Sequence, residues 1–259
     1  MSPLEQAQAQ AQAQPPPEPT EEQAHALFER AKAQFPSRTL GHEQWYLVVL
    51  SALIYSQPTH AKTLYRYVLR TEPSLRDAEE DSREARQRLV RRMREVLIKS
   101  TPLLGICKPL EALLGIASVE APDDEDHQQM TRHAWTNDAA HRARGNAWLD
   151  TIYRDDLPRI VAQMRAHTEF EMLTRDVTYG LFLSDMSVLD ARETEMVTLA
   201  GIAVQDLPNQ TAWHLRGCRR VGIAAADVEM LQRCVEMVAE FGGSRLWKIP
   251  RVADIEGQV

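Results

Sequence analysis

Apolar residues recur at helical spacing along almost the whole chain from residue 25 onward, and no stretch of strand length alternates cleanly between apolar and polar residues. The segment EEQAHALFERAKAQF places five apolar residues, from Ala24 to Phe35, on one helical face. The segment WYLVVLSALIYS, residues 45–56, is apolar nearly all round, which is typical of a central buried helix. Only 11 of the 259 residues are glycine. The chain is therefore predicted to be all-α.

The composition excludes several classes of function. A hydrophobic fraction of 44% suffices for a sizeable core, and a net charge of −7 argues against binding to nucleic acid or to an anionic membrane. No run approaches the roughly 18 apolar residues of a membrane helix. The beginning, MSPLEQAQAQ, does not resemble a secretory signal, and the final GQV is not a peroxisomal address. We expect a cytoplasmic protein that binds neither nucleic acid nor membranes.

Three segments are expected to lie outside the helical core. Residues 1–24 combine an Ala-Gln alternation with PPPEP and are predicted to be a low-complexity tail. Residues 123–129 begin with DDED and are predicted to be an exposed acidic linker that divides the chain. Residues 246–259 are predicted to be a C-terminal tail, in which Leu246, Trp247 and Ile249 pack against a neighbouring surface.

One amphipathic segment carries an unusual density of positive charge. Residues 83–104 place six arginines, from Arg83 to Arg94, opposite an apolar face. Such a face is compatible with phosphate binding. A solvated helix face, partly neutralised by the acids at 77–84, is the commoner cause and is favoured here.

The two halves of the chain share one plan. The segments WYLVVLSALIYSQPTHAKTLYRYV and EMVTLAGIAVQDLPNQTAWHLRGC each contain a buried apolar helix, a short polar break with proline and a second helix. In each half an amphipathic helix closed by glycine follows. We interpret residues 25–122 and 130–245 as two divergent repeats that pack as a pseudo-dimer. A small homo-oligomer, such as a dimer of these chains, is also expected.

His214 lies in the segment LPNQTAWHLRGCRRVG, which is predicted to form a helix with Asp206 as its N-cap, Pro208 in its first turn and Gly222 at its end. A histidine can serve as a general acid or base if a partner fixes its tautomer. Glu195 lies on an otherwise apolar helix and would need such a partner if it faced inward. In the alternative, His214 is an interior structural histidine and Glu195 an exposed acid in the first turn of its helix. Catalysis requires the two side chains to converge within about 3–4 Å on an apolar pocket.

Other residues give weaker signals. The three cysteines, Cys107, Cys218 and Cys234, form no CxxC pair and are predicted to be free thiols. Gly217 is most simply explained by close helix packing. No phosphate loop, nucleotide fingerprint or Ser-His-Asp pattern occurs, so no cofactor is predicted. A metal site is not predicted either, because the spacing of the histidines His127, His133 and His141 is irregular.

Several of these segments are similar to the carboxymuconolactone decarboxylase and alkylhydroperoxidase AhpD-like family. The segment REVLIKSTPLLGICKPLEAL at 94–113 resembles the last helix and loop of that family, and RARGNAWLDTIY resembles its opening helix. LDARETEMVTLAGI, followed by NQTAWHLRGCRRVGIAAADVEML, resembles its central block. The similarity covers about residues 25–245. It implies an AhpD-like helical bundle in a two-repeat form.

The resemblance also implies roles for individual residues. In the AhpD-like peroxidases a glutamate and a histidine, matched here by Glu195 and His214, act with a CxxC pair. The two cysteine positions are Leu207 and Gln210 in this chain, so a thiol peroxidase is disfavoured. The decarboxylase branch lacks those cysteines as well. It often carries a glutamate at the position of Gln210, where an amide can orient a substrate but cannot shuttle a proton.

The resemblance thus implies a cofactor-independent enzyme that acts on a small carboxylate- or lactone-bearing molecule by decarboxylation, isomerisation or a related proton transfer. His214 would be the acid–base residue and Glu195 its partner. The substrate-binding residues would be Gln210, Trp213, Tyr179 and Cys218. The alternative is a catalytically silent helical assembly or binding protein of the same fold. In the first half, Tyr65 and Tyr46 stand at about the places of His214 and Glu195, so one site per chain is expected.

Overall fold

The structure is a computed structural model that describes residues 18–75, 80–127 and 130–259. Every regular element in these ranges is helical, which confirms the all-α prediction. The helices of the first half are α1 (Glu21–Gln34), α2 (Ser37–Leu40), α3 (Trp45–Ser56), α4 (Ala61–Thr71), α5 (Glu80–Leu104) and α6 (Cys107–Ala117). Those of the second half are α7 (Ala139–Tyr153), α8 (Asp156–Met164), α9 (Thr168–Met172), a π-helix (Leu173–Leu183), α10 (Ala191–Ala203), α11 (Pro208–Arg220), α12 (Ala225–Phe241) and α13 (Val252–Ile255). Short 3-10 turns lie at Pro58–His60, Pro73–Leu75, Pro122–Asp124 and Glu256–Gln258.

Helix α3 forms the centre of the molecule, as its sequence predicts. All of its residues from Trp45 to Ile54 are buried, and the helix packs against α5, α10 and α12. Each fully buried leucine or isoleucine contributes about 1.5–3 kcal/mol relative to an exposed one. A helix that is apolar on every side is stable only in such a position.

Helix α10 is the principal neighbour of α3 and comes from the other half of the chain. The two backbones approach closely because Gly201 has no side chain: a β-carbon there would lie 3.0 Å from Ser51 Oγ. The Ser51 hydroxyl donates a hydrogen bond of 2.7 Å to the carbonyl of Val197. The contact between the halves is therefore both tightly packed and hydrogen-bonded.

The residues at the ends of α11 and α12 can be compared with the predicted capping residues. Leu207, not Asp206, is the N-cap of α11. Asp206 has a φ of 57°, and its carboxylate accepts a hydrogen bond of 2.8 Å from the backbone N–H of Lys248, so the local capping preference gives way to a contact with the distant C-terminal segment. Gly222 follows the end of α11 with a φ of 86°, as predicted, since glycine adopts this conformation without strain. Gly243, after α12, does the same.

The first described helix begins inside the predicted tail. Thr20 caps α1 through a reciprocal pair of hydrogen bonds with Gln23, and Ala24 is fully buried. The boundary drawn at residue 24 therefore falls inside α1. Residues 1–17 of that tail lie outside the described residues.

The DDED segment is not the exposed linker that its composition suggests. Asp124 and Asp126 are buried, and both bind arginines of α5. The nitrogen–oxygen distances are 2.6 Å from Arg86 to Asp124 and 3.0 Å from Arg91 to Asp126. The arginine face is thus neutralised in part by acids that follow α6 in the chain. Most of the acids at 77–84 lie outside the residues whose side chains are described.

The C-terminal segment folds back onto the molecule. Ile249 is buried and Leu246 packs against the core, as expected, but Trp247 is largely exposed. Val252 and Ile255 of α13 add buried side chains that the sequence patterns did not single out. None of the described helices has both the length and the hydropathy needed to cross a membrane.

Candidate functional site

Glu195 and His214 face each other between α10 and α11. His214 Nδ1 lies 2.7 Å from Glu195 Oε1, and the two side chains are almost fully buried, with residue exposures of 0% for Glu195 and 2% for His214. The predicted distance between the two side chains is confirmed, and Glu195 is not an exposed acid of the first turn. The apolar pocket predicted beside them is not among the cavities described, none of which Glu195 or His214 lines. Because the partners lie 19 residues apart on helices joined by a short turn, the pairing depends on the packing of α10 against α11.

Two tyrosines continue the chain of hydrogen bonds beyond the histidine. Tyr153 OH lies 3.3 Å from His214 Nε2, and Tyr179 OH donates a bond of 2.9 Å to Tyr153 OH. Burial raises the pKa of both tyrosines above the ordinary value, so both hydroxyls stay protonated near neutral pH and can donate. Tyr179 donates to Tyr153, and Tyr153 donates to Nε2, which leaves Nδ1–H to donate to Glu195.

This direction of donation assigns the tautomer of His214. A neutral imidazole has one N–H and one lone pair, and the carboxylate of Glu195 can only accept when ionised. The chain of bonds therefore assigns the proton to Nδ1 and the lone pair to Nε2. The arrangement orients the ring with its basic nitrogen toward Tyr153.

Burial sets the electrostatics of the glutamate. Desolvation raises the pKa of Glu195, and the neighbouring His214 opposes that rise without cancelling it. Glu195 Oε2 has no hydrogen-bond partner among the residues that the structure describes. A carboxyl group in this position is easier to protonate than a solvated one.

Gly217 makes the space that Glu195 occupies. A β-carbon at this position would lie 2.2 Å from Glu195 Oε1 and 3.0 Å from the Ile152 side chain. The sequence predicted close helix packing at Gly217, and this contact confirms it. Gly217 packs against the carboxylate of Glu195, so the absence of a side chain at this position is part of the geometry of the candidate site.

Cys218 does not line an accessible surface. Its side chain is fully buried within the main core cluster, and burial raises the pKa of its thiol well above the ordinary value. Cys234 is likewise buried, whereas Cys107 is exposed. The thiol of Cys218 is enclosed by packed side chains, and its predicted substrate-binding role stays a prediction.

Of the remaining predicted residues, two form the wall of the site. The Trp213 and Tyr179 rings lie 5.8 Å and 6.0 Å from that of Tyr153, both edge to face. Gln210 is exposed near the start of α11 and lies outside the buried chain of hydrogen bonds, and its predicted contact with a substrate stays a prediction. Helical geometry points the neighbouring residue, Thr211, inward instead.

No pattern in the sequence points to Tyr153. It is the last residue of α7, within the segment RARGNAWLDTIY, and lies 61 residues from His214. Its aromatic type at the end of an amphipathic helix predicts only burial. Two arginines of α11 hold this end of α7 in place: Arg216 pairs with Asp156 at 3.0 Å, and Arg220 donates to the carbonyl of Ile152 at 2.6 Å.

The corresponding positions of the first half carry a different arrangement. Tyr46 accepts a hydrogen bond of 3.0 Å from Arg92, which also donates to Glu193 at 2.7 Å. Tyr65 is buried, and its hydroxyl has no partner among the described residues. These tyrosines do not reproduce the pair of Glu195 and His214.

The described residues contain no group of three or more His, Cys, Asp or Glu side chains arranged to hold a metal ion. His127 pairs with Glu125, and His141 with Asp138, at the surface. The site at His214 therefore consists of a carboxyl group, an imidazole and two phenols.

Comparisons with known proteins give one distant relative. The chain is 25% identical over 138 residues to a protein of Schizosaccharomyces pombe named Peroxisomal protein 2. The matched region spans 53% of this chain and 63% of the relative, which is less than two thirds of that protein. No family model matches the chain, and no solved structure matches it. The resemblance to the carboxymuconolactone decarboxylase and AhpD-like family therefore rests on the sequence motifs alone.

Proposed function

We propose that this protein is a cofactor-independent enzyme that moves a proton at a carbon atom of a small carboxylate- or lactone-bearing molecule. One observation supports the proposal above the others. The buried series from Glu195 through His214 and Tyr153 to Tyr179 is hydrogen-bonded in a single direction. A histidine with an oriented tautomer and a neighbouring acid is the usual means of general acid–base catalysis.

The chemistry follows from the direction of these bonds. Loss of carbon dioxide from a β-keto or β,γ-unsaturated acid leaves an electron pair delocalised as an enolate or dienolate. His214 would first take up a proton from solvent on Nε2, and Glu195 would stabilise the resulting imidazolium through Nδ1–H. The imidazolium would donate the Nε2 proton to carbon. The phenol of Tyr153 would donate a hydrogen bond to the developing oxyanion. Solvent would then restore the proton to His214.

An isomerisation uses the same groups without loss of carbon. His214 would remove a proton through Nε2 and return it at another carbon of the same molecule. The half-buried Trp213 and the ring of Tyr153 form the most exposed part of the site, so a substrate would enter along this edge. Gln210, exposed at the start of α11, would orient a carboxylate from the rim rather than from within.

A catalytically silent binding or assembly protein is the second candidate. The near-complete burial of Glu195 and His214 favours it, because a buried hydrogen-bonded pair can serve packing alone. The cavities described in this molecule are lined by residues 90–127, by residues near α1 and α12, and by surfaces of α5, not by His214. The enzyme proposal therefore includes a movement of the Trp213 edge that admits the substrate.

The experiment compares wild type with His214→Ala and with a control, His60→Ala. His60 is also a buried histidine, but it lies in the first half and contacts Pro19 and Phe241. Each protein is incubated with metabolite extract and with a panel of β-keto acids, unsaturated acids and lactones, and products are followed by mass spectrometry. Consumption by wild type and His60→Ala, but not by folded His214→Ala, would support the enzyme. Equal profiles from all three folded proteins would favour the silent protein.

The proposal extends to assembly. Two AhpD-like units within one chain would pack as a pseudo-dimer about α3 and α10, and a small homo-oligomer of such chains would follow. Light scattering that gives a monomer mass at all concentrations would contradict the oligomer. A cytoplasmic location remains our proposal, and the name of the yeast relative makes the peroxisome the alternative that fractionation should test.

A further inference from the structure

A cavity of about 450 Å³ lies between the middle of α5 and the segments around residues 131 and 187. Its volume falls within the range of small-molecule sites in proteins. Three arginines lie on its wall, Arg91, Arg94 and Arg132, together with the apolar side chains of Ile98 and Val188. Neither Glu195 nor His214 lines it.

Two of the arginines share a single carboxylate. Arg91 donates to both oxygens of Asp126, at 3.1 Å and 3.0 Å, and Arg94 donates to one of them. The Asp126 side chain is 1% exposed, whereas those of Arg91 and Arg94 are 25% and 34% exposed. The carboxylate thus lies beneath the two guanidinium groups, and it balances only one of their two charges. Both guanidinium groups retain N–H donors beyond those bound to Asp126.

The third arginine is fixed more rigidly. Arg132 forms two hydrogen bonds with Glu95, at 2.6 Å and 2.8 Å, and donates to the carbonyls of Leu181 and Phe182. The fully buried Lys99 lies 3.4 Å from the same carboxylate of Glu95. Here too one carboxylate is shared between two cations.

Three arginines but only one carboxylate, Glu95, line this cavity in a protein that is acidic overall. The lining groups and their direct ion-pair partners comprise four cations and three carboxylates. The cations are Arg91, Arg94, Arg132 and Lys99, and the carboxylates are Asp126, Glu95 and Asp185. Glu120 and Glu125 line the adjoining cavity together with Arg94, so the preference for an anion rests on the unbound N–H donors of Arg91 and Arg94 and not on a net charge. Guanidinium groups bind carboxylates with good geometry because two parallel N–H donors match two oxygens.

We propose that this cavity binds a small organic monocarboxylate with an apolar body. Its carboxylate would contact Arg91 and Arg94 on the solvent side, and its hydrocarbon part would cover Ile98 and Val188. The carboxylates of Asp126 and Glu95, already paired with these arginines, disfavour a phosphate dianion, and the apolar wall favours a hydrocarbon chain over a free inorganic anion. This site is separate from the proposed catalytic pair and does not rest on the proposed function.

Isothermal titration of the full chain with octanoate tests the proposal, with octan-1-ol and octylamine as matched probes. Octanoate should bind wild type with unit stoichiometry, whereas the alcohol and the amine should bind at least about tenfold more weakly.

Three variants test the position of the site. Arg91→Gln should weaken octanoate binding about tenfold, because it removes the positive charge of Arg91 and leaves Arg94 to pair with Asp126. Ile98→Trp should abolish binding by filling the cavity. Leu114→Trp, on the exposed face of α6, should have no effect.

Three results would overturn the proposal: no binding of any straight-chain monocarboxylate, equal binding of octanoate and octan-1-ol, or unchanged binding by folded Ile98→Trp. If Ile98→Trp does not fold, Val188→Trp provides the same blockage from the opposite wall. His214→Ala should bind octanoate as wild type does. Failure of the catalytic proposal would thus leave this measurement unaffected.

Discussion

Gly217 lies directly against the carboxylate of Glu195, so closely that a β-carbon would be 2.2 Å from Oε1. Gly217→Ala should therefore displace Glu195 from His214 and destabilise the protein by about 1–3 kcal/mol, the usual cost of overpacking a core. Urea denaturation monitored by circular dichroism measures the change in stability.

Gly115→Ala is the matched control. The nearest atom to a β-carbon at Gly115 would be 3.8 Å away, so alanine should stabilise α6 slightly through its higher helix propensity. Equal stability of Gly217→Ala and wild type would contradict the packing described.

The raised pKa of Glu195 predicts a pH dependence of stability. Because its pKa is higher in the folded state than in the unfolded chain, Glu195 contributes stability at pH values below about 4.5 and loses this contribution as the pH rises through the folded value. Glu195→Gln lacks the titration but keeps a carbonyl that accepts from His214. Measured by urea denaturation from pH 4 to pH 8, the variant should gain stability relative to wild type as the pH rises. A relative loss over that range would indicate instead that the ionised pair stabilises the fold. Activity, by contrast, should be lost in this variant.

Tyr153 and Tyr179 occupy unequal positions in the hydrogen-bonded series, which predicts unequal effects of their removal. Tyr153→Phe deprives both His214 Nε2 and Tyr179 of a partner, at a cost of about 1–3 kcal/mol for the groups left buried and unpaired. Tyr179→Phe leaves the bond to His214 intact and should cost less. Nitrogen chemical shifts of the imidazole should report a proton on Nδ1 in wild type and Tyr179→Phe. A proton on Nε2 in wild type would reverse the assigned direction of the series.

The sequence predicted the helices and the central pair but not the contacts that complete the site. The apolar segment at 45–56 is stable where neighbouring helices cover it on every side, and Glu195 and His214 lie on two helices joined by a short turn. Tyr153, in contrast, contacts His214 across 61 residues of sequence, through the packing of α7 on α11. No local pattern of residues specifies that contact.

The predictions of the N-cap at Asp206 and of the exposed acidic linker were wrong for a related reason. Asp206 has the right residue type for an N-cap, but its carboxylate binds the backbone of Lys248, 42 residues away. The DDED segment has the composition of a solvated linker, yet arginines about 35 residues earlier in the chain bind it. The composition of a segment indicates only its local structural preference. A distant residue that binds the same side chain and overrides that preference can be identified only in the folded structure.

Asp126 provides the last test, because it binds two arginines while nearly all of its side chain is buried. Burial opposes ionisation, but hydrogen bonds from Arg91 and Arg94 lower its pKa below the ordinary value. The stabilisation is therefore present above pH 3.8 and is lost as the pH falls through the folded value. Asp126→Asn should destabilise the protein by about 1–3 kcal/mol at pH 7, less than for a fully buried pair because the arginines remain partly solvated. The difference from wild type should shrink below pH 4.

Asp123→Asn is the control for this prediction. Asp123 is exposed and contributes its backbone carbonyl to Arg83, so urea denaturation should detect little change in stability. Equal losses in the two variants would mean that the burial of Asp126 between its arginines adds nothing beyond general surface charge.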